Sequence, residues 1–497
     1  MGSRFRFPLL ILLAETRPMR RPSRAVLFSL VGVLLVALAP GLAEAQNTLV
    51  PEGMPRYEPT GFPDRIVLTF TGDPAATQAV TWRTGPSVTR AVAEISVAGD
   101  SPGLHLTARM VEGRTTPLEA GNGLAHHHTV TFTDLRPNTL YAYRVGGEGT
   151  WSEWFQFRTA KGTFEPFSFL YFGDAQNAVK SHYSRTVRQA ALDRSDARVM
   201  VHAGDLVNLR AGNHDDEWGE WFDAGGWLHG MIPSIPAPGN HEYVDEVDQA
   251  GREWRTLSPH WPVQFAFPGN GPDGMEETVY HVDFQGVRFI VLNSVEAVYD
   301  DAPDRVEDQA RWLEALLRDN PNRWTVAVFH HPVVSVARGR DNPSLQEHWQ
   351  PLFEEYGVDL VLQGHDHSYG RGGNLAEGTT AWDGRVGTMY VVSVAGPKMY
   401  FASEEALETF DRVGEDTQLY QTVQVEWDRI VFESRTTTGR LYDAFELHKD
   451  PEGPNRLVDL RPEDAERFCG RPDIPGYRAD RCWEGTDFVR PGGSGGR

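Results

Sequence analysis

The sequence predicts two domains in tandem, an all-β sandwich followed by a layered α/β domain. Three observations carry this expectation. Between residues 64 and 159 the apolar runs are short, often alternate with polar residues, and are separated by turn formers such as Gly72-Asp73-Pro74. From Phe164 the pattern changes to buried-looking strands separated by helical periods, as α/β layers require. Five of those later strands end in Asp, Asn or His, and in open α/β sheets ligands bind at the carboxyl ends of strands.

Length and charge bound the rest. At 497 residues the chain exceeds one ordinary core. A formal charge of −22 argues against a sequence-independent nucleic-acid binder, which needs a basic footprint. It leaves room for a phosphate-ester enzyme, because bound metal ions reverse the local potential. Near the N-terminus Arg20, Arg21 and Arg24 precede the apolar run 25–39, and Ala43-Glu44-Ala45 offers a small-x-small cleavage pattern. Residues 1–45 therefore read as an export signal, with Met19 as an alternative start, and the remaining chain is expected to be secreted or periplasmic. An uncleaved anchor is the alternative, but the run is short for a bilayer span and no second stretch is long enough. The cysteines, Cys469 and Cys482, suit a short-loop disulfide in an exported protein.

Taken in order, 46–62 is a Pro-rich linker and 63–160 the sandwich, with strands at 66–70 and 79–82. Leu135-x-Pro137-x-Thr139-x-Tyr141 enters a strand in the manner of a tyrosine corner, with Trp82 as a core aromatic. His126-His127-His128 reads as a strand start with one inward and two exposed rings. The α/β domain spans 161–449. Its strand 167–172 ends at Asp174, a polar helix covers 179–194, and strand 199–203 ends at Asp205. A Trp-rich helix at 216–222 is followed by 234–237, which leads to Gly239-Asn240-His241-Glu242. The stretch 243–277 reads as a long irregular loop beside a site. After strand 287–292, helix 304–319 puts Trp312, Leu313, Leu316 and Leu317 on one face. Strand 325–329 runs into His330-His331-Pro332, and a helix at 344–356 leads to strand 358–362 and Gly364-His365-Asp366-His367. Further strands are expected at 389–394, 422–427 and 429–435, then a polar, loop-rich extension over 450–497.

The strand ends collect Asp174, Asp205, Asn240, His241, His330, His331, His365 and His367. Any one Gly-Asp reads equally well as a turn. The series as a whole does not. Two-metal hydrolysis needs this mixture: one carboxylate shared between ions about 3.5–4 Å apart, with neutral N and O donors on each side. The pair lowers the pKa of a water between them, and the resulting hydroxide attacks phosphorus.

The series Gly-Asp, Gly-Asp, Gly-Asn-His-Glu, His-x-Pro, Gly-His-x-His resembles the calcineurin-like metallophosphoesterase superfamily. With the preceding sandwich, which resembles a fibronectin type III domain, it looks most like purple acid phosphatases and their bacterial relatives. The resemblance implies a four-layer α/β/β/α domain and two divalent ions (Mn, Zn or Fe). It implies Asp174 and His367 on the first ion, Asp205 bridging, and Asn240, His330 and His365 on the second. His241 would face the phosphate as the acid that assists the leaving group, and His331 would neighbour the ligands. There are two departures. Asn208 stands where purple acid phosphatases place a metal-binding tyrosine, and Gln176 where other members place a histidine. Either amide is a candidate weak ligand or neighbour, and the first ion is expected to be divalent and more weakly held. His182 and Arg371, close to the motifs, read as structural. The implied function is hydrolysis of small-molecule phosphate monoesters. The alternatives are a phosphodiesterase of the same fold and, outside enzymes, a degenerate phosphoesterase serving as a binding or adhesion module.

Overall fold

The computed structural model describes residues 45–46, 48–51, 54–147, 149–247, 251, 253–299, 304–375, 384–450, 453–470, 481–483 and 487–488. The expected export signal, apart from Ala45, lies outside the described residues. Among the described residues no helix is long and apolar enough to cross a membrane.

The first domain is a sandwich of two antiparallel sheets. One contains β1 (Asp64–Thr69), β2 (Gln78–Thr84), β5 (Arg114–Ala120) and β6 (Gly123–Phe132), in the order β1-β2-β6-β5. The other contains β3 (Val92–Val97), β4 (Arg109–Glu112), β7 (Leu140–Gly147) and β8 (Phe155–Arg158), in the order β8-β7-β3-β4. Trp82, Val130, Phe132, Tyr143 and Phe157 fill the space between them. The tyrosine corner forms as its spacing predicts: the Arg136 N–H donates to Tyr141 Oη at 2.8 Å. The three histidines differ from expectation, since none of the rings is exposed. Strand alternation turns His128 inward, where it stacks on Trp82 with ring centroids 5.1 Å apart and bonds Thr84 Oγ1 at 2.8 Å. His127 points the other way and is 3% exposed, because that face of the sheet is covered by the second domain.

The cover is held by a buried charge cluster. Asp215 accepts from Arg65 at 2.6 and 2.9 Å and from Arg83 at 2.8 Å, while Arg83 also reaches Asp64 at 2.7 Å. Burial opposes the Asp215 charge, but the two guanidiniums hold its carboxyl far below the usual range. Asp215→Ala strands buried Arg65 and leaves Arg83 with only the Asp64 carboxylate, and is expected to lower unfolding stability by about 3–5 kcal/mol, read by chemical denaturation.

The second domain is built on one long mixed sheet that folds into two facing halves. β9 (Phe167–Phe172), β10 (Val199–Ala203) and β11 (Ser234–Ala237) run parallel in the first half, beside α1 (Tyr183–Asp193) and α2 (Asp216–Gly225). Next in sequence come the hairpin β12 (Tyr243–Val247) and β13 (Glu253–Leu257), then β14 (Tyr280–Phe284), β15 (Val287–Val291), α3 (Asp304–Arg318) and β16 (Trp324–Val328). Helices α4 (Pro343–His348) and α5 (Gln350–Glu355) precede β17 (Leu360–Gln363), β18 (Tyr369–Leu375), β19 (Arg385–Val392) and β20 (Met399–Tyr400). The chain continues into β21 (Leu419–Val425), β22 (Arg429–Thr436), β23 (Leu441–His448), β24 (Asn455–Asp459) and β25 (Arg481–Trp483). The sheet order is β11-β10-β9-β21-β22-β23-β24-β19-β17-β16-β15-β14. Phe169, Val201, Phe289, Val326, Leu360 and Phe432 fill the space between the halves. Tyr183, Val187, Trp218 and Trp221 belong to the core under α1 and α2, and Leu313, Leu317, Trp349 and Phe353 to the core under α3 to α5. The result is four layers, α/β/β/α.

Several elements depart from the sequence reading. The helix expected at 344–356 is broken in two because Pro351, lacking an N–H, is tolerated only in a first turn. The loop expected over 243–277 contains the β12–β13 hairpin and a helical turn at Trp261–Gln264. The extension is not all loop. β24 pairs with both β23 and β19, joining the two halves, and β25 pairs with β20. Cys469 and Cys482 are disulfide-bonded, with Cα atoms 5.9 Å apart.

Candidate metal centre

The carboxyl ends of β9, β10, β11, β16 and β17 meet at one place, which brings together residues far apart in the chain, as in the bond from the His365 N–H to Asp174 Oδ1 at 2.6 Å, across 191 positions. Two glycines permit the approach. A Cβ on Gly364 would collide with Asp174 Oδ1, and one on Gly239 with Asp205 Oδ1. Three of the candidate ligands, Asp205, His365 and His367, sit at positive φ (53°, 72° and 49°). Non-glycine residues hold this conformation at a cost, and such strain clusters at functional sites.

Two acceptor-rich groups share Asp205. In the groups Asp205, His330, His365 and Asp174, Asp205, His367, the candidate ligand atoms lie within 4.8 Å of one another. Around the second group, Asn240 Oδ1, His365 Nδ1 and Asp205 Oδ2 lie 3.1, 3.1 and 3.2 Å from His330 Nε2. His330 Nδ1 donates to the Ala203 carbonyl at 2.8 Å, so the neutral ring presents a lone pair at Nε2. Lone-pair atoms at this spacing suit a common cation: ligands about 2.1 Å from a tetrahedral centre are about 3.4 Å apart. Around the first group, Asp174 Oδ2 is 3.3 Å from His367 Nε2. The Gln176 amide is close by, its Nε2 2.5 Å from Asp205 Oδ2 and 3.3 Å from His367 Nε2. Asp174 Oδ2 and Gln176 Oε1 are buried acceptors with no hydrogen-bond donor among the described residues. A cation would satisfy Asp174 Oδ2, and with the amide turned over Gln176 could offer it Oε1 in place of Nε2.

The electrostatics agree. Burial pushes the Asp174 carboxyl up. Burial also opposes charging of His330, yet Asp205 and Asp174 push it up to about 9. Without a cation the pocket recruits a proton to the atom facing the carboxylates, and a metal ion would replace that proton.

His241 lies beside the groups without belonging to them. Its main-chain N–H donates to Asp205 Oδ1 at 2.8 Å, its ring Nδ1 donates to the Asn208 carbonyl, and its Nε2 is 3.9 Å from Asp205 Oδ2. Burial pushes it down to about 4. Asn208 thus acts here through its main chain, its N–H going to Glu217. His331 packs its ring 4.1 Å from that of His365 and bonds Ser294 Oγ through Nδ1 at 3.1 Å. Arg371 is a buried structural cation paired with Asp443, Asp411 and Asp459.

Two positioning residues escaped the sequence reading. Glu242 is fully buried, and its carboxylate accepts the N–H groups of Gly239, Asp205 and Leu206 at 2.7–2.8 Å, fixing the loop that carries Asp205. Asp366 does the same for the two histidines around it, accepting from Val336 and Ala337 N–H and from Arg340, which also bonds the His365 carbonyl. The signal for Glu242 was its place in Gly-Asn-His-Glu. Asp366 lies between the paired histidines, where it could be taken for a turn former.

Residues 63–159 match the purple acid phosphatase N-terminal domain and residues 167–369 the calcineurin-like phosphoesterase profile. An uncharacterised protein of Mycobacterium tuberculosis is 27% identical over 61% of this chain, which spans 61% of that protein's length. Acid phosphatase type 7 of Homo sapiens is 28% identical over 63% of this chain and 71% of its own. Purple acid phosphatase 18 of Arabidopsis thaliana is 27% identical over 64% and 68%. Among solved structures, a purple acid phosphatase from yellow lupin seeds superposes with a TM-score of 0.64 at 19% identity, covering 79% of this chain and 75% of its own. PhoD gives 0.59 at 13% identity, covering 82% and 94%.

Proposed function

With a purple acid phosphatase N-terminal domain leading into a calcineurin-like phosphoesterase domain, this chain has the build of a metallophosphoesterase, and we propose that it is an exported, dinuclear-metal enzyme hydrolysing small-molecule phosphate monoesters. The observation that carries the reading is the pair of ligand groups sharing Asp205. Export is supported by the Ala43-Glu44-Ala45 cleavage pattern and by the Cys469–Cys482 bond, which suits an oxidising compartment.

Asp174, Asp205 and His367 would hold one ion, with Gln176 beside it as a weak ligand or neighbour, and Asp205, Asn240, His330 and His365 the other. When bound, the ions supply Lewis acidity toward the phosphoryl oxygens and toward the attacking water. The chain's own groups do the rest. Glu242 and Asp366 fix the ligand loops, so that little reorganisation accompanies the reaction. The bond from His241 Nδ1 to Asn208 orients the ring and leaves Nε2 as the atom that exchanges a proton with the leaving oxygen. Burial disfavours the imidazolium, and a dianionic phosphoryl group against the ring would favour it.

His241→Ala is expected to lower kcat by about 10²-fold with metal content unchanged. Steady-state kinetics beside elemental analysis checks this, and loss of an ion would make His241 a ligand instead. Parallel hydrolysis of a chromogenic phosphate monoester and its matching diester tests the substrate class.

A further inference from the structure

Lys398 is 7% exposed, among the described residues no hydrogen bond or carboxylate ion pair reaches its ammonium, and the ammonium keeps some contact with solvent. Burying a lysine without a partner is costly, so its place in the fold calls for an explanation. It sits mid-way along the short loop from Ala395 to Tyr400, whose two ends are fastened to the two outer residues of the first ligand group. Ala395 and Gly396 both donate their N–H to the Asp174 carbonyl, at 3.0 and 2.6 Å, and Tyr400 donates its N–H to the His367 carbonyl at 3.1 Å. Gly396 is pressed so closely onto Gln176 that a Cβ there would collide with the Gln176 carbonyl oxygen. The Tyr400 ring lies 4.8 Å from the ring of His367, and Lys398 Nζ lies 5.6 Å from the Tyr400 centroid.

The surrounding charges restrict where the ammonium can go. Arg340 and Arg481 stand 4.7 and 5.0 Å from the same Tyr400 ring. Arg481 is brought there by β25, next to the Cys469–Cys482 bond. Burial pushes the Lys398 ammonium down to about 8, Arg481 and Arg340 add to that, and Asp205 and Asp174 oppose it. With the ligand carboxylates engaged by metal ions in the loaded protein, a phosphoryl dianion at the first ligand group would be the anion that holds the Lys398 ammonium charged.

Resting on the phosphoesterase reading above, we propose that Lys398 is a substrate-binding residue, its ammonium taking a non-bridging oxygen of the phosphoryl dianion at the first ligand group. Tyr400 and Arg481 act as positioning residues that keep it there. A point cation with several rotatable N–H donors suits phosphate oxygens. It rewards the second negative charge that distinguishes a monoester from a diester.

The test uses the metal-loaded full chain, with inorganic phosphate as the probe and titration calorimetry as the readout, beside elemental analysis. Lys398→Gln preserves much of the side chain's bulk. It is expected to bind phosphate about tenfold more weakly with both ions retained, and Lys398→Arg to restore most of the affinity. An unchanged phosphate Kd in Lys398→Gln would overturn the assignment. So would a weakened Kd accompanied by loss of an ion, which would make Lys398 a prop for the metal loop, or no phosphate binding by the metal-loaded parent. A parent that binds phosphate in a Lys398-dependent way yet hydrolyses no ester would overturn the enzymatic reading and leave the binding residue standing, so the two failures are distinguishable.

Discussion

Asp205→Asn is expected to lower kcat/KM by roughly 10³-fold or more, with loss of at least one metal ion per chain. Three features of the structure set this scale. Asp205 is the residue common to both ligand groups. Its Oδ2 stands 3.2 Å from His330 Nε2 on one side and 2.5 Å from Gln176 Nε2 on the other. An amide is nearly isosteric but neutral and carries only one acceptor atom, so it cannot offset the charge of two cations. Asp205 Oδ1 also receives the His241 N–H, so an amide turned the wrong way sets donor against donor and disturbs the His241 backbone as well. Elemental analysis of the purified variant beside steady-state kinetics reads both effects. A variant with a full metal complement and near-normal turnover would remove the bridging role.

Glu242→Gln is expected to cost about 10²-fold in activity and about 3 kcal/mol in unfolding stability, although Glu242 offers no ligand atom to either group. Its two oxygens receive three main-chain N–H groups, two on Oε2 and one on Oε1. A glutamine has one acceptor oxygen, so whichever way it turns, an NH₂ group faces at least one N–H in a buried site. Burial and the Asp205 charge push the Glu242 carboxyl up, while those three donors and a bound cation would favour the carboxylate. The expected signature is lowered metal affinity together with a lowered denaturation midpoint. Normal affinity and stability would mean that the loop around Asp205 holds its left-handed conformation unaided.

The fold class was legible because it rests on local patterns. Short alternating runs and the Leu135 to Tyr141 corner mark the sandwich, and the switch to strands separated by helices marks the α/β layers. The convergence of the candidate ligands was legible for a related reason: a strand end is where a sheet delivers side chains to a ligand, so Asp174, Asp205, Asn240, His330, His365 and His367 could be picked out as candidates by position. What stayed hidden depends on contacts between distant segments. His127 looks exposed in its strand and is buried only because the second domain covers it. The β12–β13 hairpin lies in a stretch whose aromatic and proline content reads as loop. Lys398 sits in Gly396-Pro397-Lys398-Met399, which carries no motif, and its placement follows from bonds to Asp174 and His367, far away in the chain. The polar extension gives no periodic signal, yet β24 completes the sheet and β25 brings Arg481 to Tyr400.

The most direct test of the central claim is a metal titration read by ester hydrolysis. Full-length protein stripped with a chelator is reconstituted with increasing Mn, Zn or Fe(II), and turnover of a phosphate monoester is followed against bound metal. The arrangement around Asp205 predicts no turnover without metal, and activity that climbs until two ions per chain are bound. Activity insensitive to chelation, saturation at one ion, or folded protein holding two ions with no turnover of monoester or diester would contradict it.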